Sequence, residues 1–181
     1  MRFYREVLLA YGEKILLRSL EKQDAGAAIF CLRKVSAETE FLMREVSECG
    51  MTIAQEEEII ARKAEEPCEM LLGVFAGERL IGMAGLNRCG RFARVRHRAS
   101  IGVLLVKAHW GKGIGKAMMQ ALIDAARQAG YEQLELDVVD NNERALALYR
   151  SFGFEVVGRL PKAMKYSDGR YADLIIMACA L

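Results

Sequence analysis

The stretch His109-Trp110-Gly111-Lys112-Gly113-Ile114-Gly115-Lys116-Ala117 places three glycines where a strand pattern gives way to a helical one. Before it, His97 to Val106 alternates, with Ala99, Ile101, Val103 and Leu105 on one face. After it, Ile114, Ala117, Met118, Ala121, Leu122 and Ala125 recur at helical spacing up to Gly130. A glycine-rich turn that opens a helix exposes backbone N–H groups, and the helix dipole adds positive potential. Both suit a phosphate or pyrophosphate, and Lys112 and Lys116 add formal charge beside it.

Two well-known phosphate loops do not fit. A G-x-G-x-x-G fingerprint read from Gly111 meets Lys116 at its sixth position, and read from Gly113 it meets Met118. In a G-x-x-x-x-G-K-[ST] loop, Gly111 stands one residue too close and Ala117 replaces the metal-binding hydroxyl.

Working outward, Glu132 to Val139 reads as a strand with Leu134, Leu136 and Val138 alternating. Asn142 to Phe152 reads as a short helix stopped by Gly153. Phe154 to Gly158 and Ala172 to Leu181 read as two final strands. Upstream, Lys14 to Arg18 is a strand and Glu21 to Lys34 a helix. Thr52 and Gln55, at capping-box spacing, open a second helix whose first turns carry Glu56, Glu57 and Glu58. Met70 to Phe75 and Leu80 to Leu86 flank a turn, as in a β-hairpin. The order predicts an α/β domain with a mixed, partly parallel sheet flanked by helices. It spans residues 1–181 as a single domain, with 1–13 as an N-terminal extension.

Composition bounds the function. The 181 residues hold 26 Lys plus Arg and 24 Asp plus Glu, a net charge of +2. That balance argues against a dedicated nucleic-acid binder. The basic run Arg88, Arg91, Arg94, Arg96 and Arg98, with Phe92 inside it, reads as a solvated loop or as anion contacts beside the phosphates. The five cysteines form no CxxC pair and there are two histidines, poor material for a structural zinc site. No metal is expected, and the thiols read as reduced, which with the charged N-terminus points to the cytoplasm. No apolar stretch approaches the ~20 residues of a membrane helix.

Gly111-Lys112-Gly113-Ile114-Gly115-Lys116-Ala117 resembles the acetyl-CoA pyrophosphate loop of the GNAT family of N-acetyltransferases, with Gly113 and Gly115 at the family's glycine positions. Trp110 departs from the pattern, standing where that family has Arg or Gln. Asn142-Glu143-Arg144-Ala145-Leu146-Ala147-Leu148-Tyr149, followed by Gly153-Phe154, looks like the family's Asn-x-x-Ala…Leu-Tyr…Gly-Phe segment. Leu17-Arg18-Ser19-Leu20 and Ser167 to Asp173 resemble its first strand and last hairpin, so the likeness covers roughly Ile15 to Leu181.

The resemblance implies a fold in which two parallel central strands splay, here His97 to Val106 and Glu132 to Val139, with acetyl-CoA in the gap. It implies direct attack by an amine on the thioester in a ternary complex, the amine belonging to a small molecule or a peptide N-terminus. Backbone groups of Val103, Leu104 and Leu105 would pair with the pantetheine arm. Gly111, Lys112, Gly113, Ile114, Gly115 and Lys116 would hold the pyrophosphate, and Asn142 would contact the arm. Tyr149 would protonate the leaving thiolate, and Asp137, at the place of a glutamate used by ribosomal-protein N-terminal acetyltransferases, would serve as base. Pairing of two copies through the C-terminal strands is a further expectation of the resemblance.

Each role has a plainer counterpart. Tyr149 can be a core tyrosine, Asn142 a helix cap, and Asp137 or Glu135 on the same strand face a solvated or ion-paired carboxylate. His97 is a second candidate base. The resemblance implies that Ser36 to Phe41 and the helix after Thr52 line the acceptor side, where Glu38 and Glu40 would attract a cationic amine or are surface charge. A non-catalytic acyl-CoA sensor of the same fold is the alternative function.

Overall fold

The computed structural model describes residues 1–10 and 12–181. Among these residues, eight strands form one sheet in the order β1-β2-β3-β4-β5-β6-β8-β7. The strands are β1 (Tyr4–Leu8), β2 (Lys14–Ser19), β3 (Met70–Ala76), β4 (Arg79–Arg88), β5 (Arg98–Leu105), β6 (Gln133–Val139), β7 (Glu155–Lys165) and β8 (Tyr171–Ala180). Four helices join them: α1 (Ala25–Glu38), α2 (Ile53–Glu65), α3 (Ile114–Gln128) and α4 (Glu143–Arg150). Every neighbouring pair is antiparallel except β5 with β6. The expected mixed, partly parallel sheet is therefore present.

The strands alternate because both faces are covered. Ile15, Leu17, Leu72, Val74, Ile101, Leu134 and Leu136 share one core with Met118, Met119 and Leu122 of α3 and with Leu146 and Tyr149 of α4. The intervening residues of the sheet, among them Met83 and the half-buried Leu16, Leu71 and Leu104, pack with Ala28, Cys31 and Val35 of α1 and Ile60 of α2. Emptying a fully buried site such as Leu122 (0% exposed) with alanine costs about 2–5 kcal/mol, from lost transfer energy plus the cavity left behind.

The helix signals act as the sequence implies. The Thr52 hydroxyl accepts from the Gln55 N–H at 3.2 Å, and the Gln55 side chain accepts from the Thr52 N–H at 2.9 Å, a reciprocal capping box at the start of α2. The Asn142 side-chain oxygen accepts from the Ala145 N–H at 3.2 Å and caps α4.

Two segments differ from expectation. The N-terminal extension contains β1, which pairs with β2 from Tyr4↔Arg18 to Leu8↔Lys14. Arg5 on that strand reaches Asp124 of α3 at 2.9 Å. Tyr-Arg-Glu-Val-Leu buries only every second residue, partly, so an edge strand of this kind carries little apolar signal. At the other edge, β7 runs to Lys165 rather than stopping near Gly158. Its pairing shifts between Leu160 and Met164, around Pro161, and Lys162 has φ +53°. A proline and an irregular register break the two-residue period from which a strand is read.

Candidate functional site

β5 and β6 pair at only three positions, Arg98↔Gln133, Ala99↔Leu134 and Ser100↔Glu135. Beyond them both strands continue, β5 to Leu105 and β6 to Val139, with no ladder between them. The pairing to β4 shows which backbone groups this leaves open. The Arg98 carbonyl accepts from Cys89, and the Val106 N–H donates to Ile81, so even-numbered residues of β5 bond toward β4. By the alternation of an antiparallel ladder, Val103 and Leu105 aim their amides and carbonyls into the split. The Leu105 carbonyl is taken up there by the Trp110 indole N–H at 2.7 Å.

At the mouth of the split lies the glycine loop. Gly111 and Gly113 have φ +77° and +85°, the left-handed region in which a side chain is strained. Alternating left-handed turns direct successive N–H groups to one side, forming an anion-binding concavity. None of the backbone N–H groups from Gly111 to Lys116 donates to a protein acceptor among the described residues, and Gly113 gives α3 no side-chain cap. The first internal bond is Ala117 N–H to Gly113 O at 3.2 Å. A cradle of free donors at a helix N-terminus is what a pyrophosphate needs.

The opposite wall is α4. Together these elements bound a cleft of about 500 Å³. Val103, Leu104 and Leu105 line it from β5, Gly111, Gly113, Gly115 and Lys116 from the loop, and Asn142 and Tyr149 from α4. Lys112 does not: its ammonium sits 3.6 Å from the Glu13 carboxylate. Ile114 sends its side chain into the core, 0% exposed, so only its backbone belongs to the loop.

Tyr149 is buried, its ring tilted against Phe154 at 6.0 Å. Its hydroxyl has no protein partner among the described residues, the residue lines the cleft, and burial pushes its pKa up to about 12. The phenol therefore carries its proton across the neutral range and can act as a donor but not as a base.

The two carboxylates on β6 have different surroundings. Glu135 is ion-paired with Arg98 (Nη2 to Oε2, 2.7 Å) and also accepts from Gln133 at 2.8 Å. The Arg98 hydrogen bonds hold it below the usual carboxylate range. Asp137 lies past the last β5–β6 pair, exposed, its carboxylate making no hydrogen bond or ion pair among the described residues. It is not among the residues lining the cleft, and stands on the face of β6 opposite Leu134 and Leu136, the face shared with α1.

Other candidates are placed elsewhere or already engaged. His97 precedes β5, six residues from Val103, about 20 Å at the rise of a strand. That distance removes it as a base. The arginine-rich loop lies at the same far end, so it cannot touch phosphates at the glycine loop. There Arg88 pairs with Glu66 and Glu69, and Arg98 with Glu135. Glu38 accepts from the Lys107 N–H at 2.7 Å, and Glu40 holds Arg170 at 3.0 and 3.2 Å. Of the segment expected on the acceptor side, Thr39 and Phe41 line the cleft, while no residue of α2 does. The sequence reading did not single out Arg144 and Leu42, which line it as well.

No group of three or more His, Cys, Asp or Glu among the described residues gathers as a metal site. Among the described residues, no helix is long and apolar enough to cross a membrane. All five cysteines are free.

The chain is similar to N-alpha-acetyltransferase RimI of Mycobacterium tuberculosis, 38% identical over 98 residues, covering 54% of this chain and 59% of that protein. It is similar to the L-amino acid N-acyltransferase MnaT of Escherichia coli, 32% identical over 100 residues, covering 55% of this chain and 58% of that one. The matches thus span less than two thirds of those relatives' length. Among solved structures, yncA of Salmonella typhimurium, described with its cofactor acetyl-CoA, shares the fold at TM-score 0.81 and 22% identity over 92% of this chain and 94% of that one. The sequence model of the acetyltransferase (GNAT) family matches residues 36–154, which include the split strands, the glycine loop and α4. The chain belongs to the acetyltransferase (GNAT) family.

Proposed function

We propose that this protein is an acetyl-CoA-dependent N-acetyltransferase that acts on a primary amine by direct attack in a ternary complex. The observation that carries the reading is the run of unpartnered N–H groups from Gly111 to Lys116 at the mouth of the β5–β6 split. The residues fit the cosubstrate: an anion cradle at one end, then a mostly apolar channel edged by the Val103 and Leu105 amides of β5. Acetyl-CoA supplies an activated acetyl thioester.

In this reading the chain's residues divide the work. Gly111 to Lys116 and Asn142 bind. The free amides of Val103 and Leu105 pair with the amide arm and stabilise charge developing on the carbonyl oxygen, an effect typically worth a few kcal/mol. Tyr149 delivers its proton to sulfur as the C–S bond breaks and regains one from the nitrogen that has attacked, while the first ammonium proton goes to Asp137. A phenol near pKa 12 is a weak acid for a thiolate with a reference pKa of about 8.5, so the transfer is matched only inside the cleft, where desolvation raises the thiolate as well. Asp137, on the α1 face and free of partners, takes the proton from the incoming ammonium, through water where it does not touch the amine directly.

The acceptor is the amine of a small molecule or of a peptide N-terminus, in keeping with the L-amino acid N-acyltransferase and the N-alpha-acetyltransferase among the relatives. With free cysteines, the protein works in a reducing compartment, the cytoplasm. The test is CoA release from acetyl-CoA across polyamines, amino acids, aminoglycosides and short peptides, with products identified by mass. An acetylated amine establishes the enzyme and its acceptor class together. Binding of acetyl-CoA without release against any acceptor refutes the catalytic reading and leaves a sensor.

A further inference from the structure

We propose that Arg144 of α4 supplies a side-chain cation for the CoA pyrophosphate, and that the Trp110 ring aims it. This rests on the reading of the cleft as a CoA site.

Four observations converge. First, Trp110 is held rather than loose, because its indole N–H donates to the Leu105 carbonyl at 2.7 Å, pinning the ring between the end of β5 and the loop. Second, the Arg144 guanidinium stacks on that ring, 5.5 Å from its centroid. A planar guanidinium on an aromatic face keeps its outward edge free to donate, which an ammonium does not do in the same way. Third, the stack puts the charge over the loop. An Arg144 nitrogen lies 3.5 Å from where a Cβ on Gly111 would be, and Arg144 lines the cleft. Fourth, the charge has no protein partner. Arg144 is exposed and pairs with no carboxylate among the described residues, unlike Lys112, which faces Glu13 at 3.6 Å.

Its position on α4 points the same way. Arg144 is the second residue of the helix, where the dipole disfavours a cation. A positive side chain at that end is offset when it faces a bound anion. Six free N–H groups and one stacked guanidinium then surround the same space, one wall from the loop and one from α4.

The test uses the full chain and reads binding, not turnover. Trp110 is the single tryptophan, so its fluorescence reports on the loop directly, and calorimetry covers variants that lack it. CoA and 3′-dephospho-CoA are titrated against wild type, Arg144→Ala and Arg144→Lys. Arg144→Ala is expected to weaken both ligands about 10- to 100-fold, by the same factor, with its melting temperature unchanged because the residue is exposed. Arg144→Lys recovers only part of the loss. In a Trp110→Leu background the Arg144→Ala penalty shrinks. Unchanged CoA affinity in Arg144→Ala overturns the proposal. A penalty seen with CoA and absent with 3′-dephospho-CoA overturns the pyrophosphate assignment and moves the arginine to the 3′-phosphate. An equal penalty with and without the tryptophan ring overturns the aiming role. Wild-type protein that binds neither ligand refutes the CoA reading itself, a result distinct from binding that ignores Arg144.

Discussion

Gly113→Asp is expected to remove CoA binding while leaving the protein folded, and Gly113→Ala separates the causes. Gly113 has φ +85°, and a Cβ built on it meets no heavy atom within 4 Å. Sterically the protein has room; what the substitution disturbs is the backbone. A left-handed non-glycine residue costs about 1–2 kcal/mol. For a chain of this size that lowers the melting temperature by about 2–8 °C. Both variants share that cost. On the proposed reading this open space is the anion cradle, so alanine also puts a methyl group against the pyrophosphate. Aspartate adds a charge. Two unit charges about 4 Å apart repel by about 4 kcal/mol at an effective dielectric of about 20, a factor of about a thousand in affinity. Calorimetric titration with CoA at low and high salt, beside thermal melting, measures both effects. The loop assignment is refuted if Gly113→Asp melts a few degrees lower yet binds CoA as wild type does. Gly115→Ala is the comparison: its Cβ would meet only the end of Leu148, at 3.1 Å, and no positive φ is involved. It should remain closer to wild type in stability.

Tyr149→Phe keeps the ring against Phe154 and removes the proton donor, so CoA affinity should hold while turnover falls about 100- to 1,000-fold; unchanged turnover in stopped assays removes the acid role. Asp137→Asn should lower turnover and leave the melting temperature alone, whereas Glu135→Gln, which breaks the Arg98 pair, should lower the melting temperature and spare turnover; the reverse outcome exchanges their roles. Asp24 is nearly buried. Burial alone would raise its pKa, but the Arg18 bonds at 2.7 and 2.8 Å and the Glu21 N–H outweigh that and hold it below the ordinary carboxylate value. Its contribution is therefore present above about pH 4 and lost as pH falls through the folded-state value. Asp24→Asn should cost about 2 kcal/mol at pH 7, a drop of about 4–8 °C, and flatten the acid limb of the stability curve.

The sequence by itself determined the local architecture and the loop. Helical periodicity after Gly113, the Thr52–Gln55 capping box and the alternation through β5 and β6 are short-range signals, set by backbone geometry within a few residues. The glycines at 111 and 113 were legible for the same reason, since positive φ is a local demand. The two edge strands were less so. β1 buries little, and β7 is broken by Pro161, so neither imposes a clear period. What only the tertiary structure decided is where long-range pairing starts and stops. That β5 and β6 part after Ser100 and Glu135 depends on strands 35 residues apart in the chain, and no local propensity encodes it. Past that parting the Asp137 carboxylate has no partner among the described residues while Glu135 is tied to Arg98, a distinction invisible in two carboxylates at period-two spacing. It also brings Arg144 over Trp110, because a side chain's charge acts through distance in space, and that distance exists only once α4 has packed against the loop.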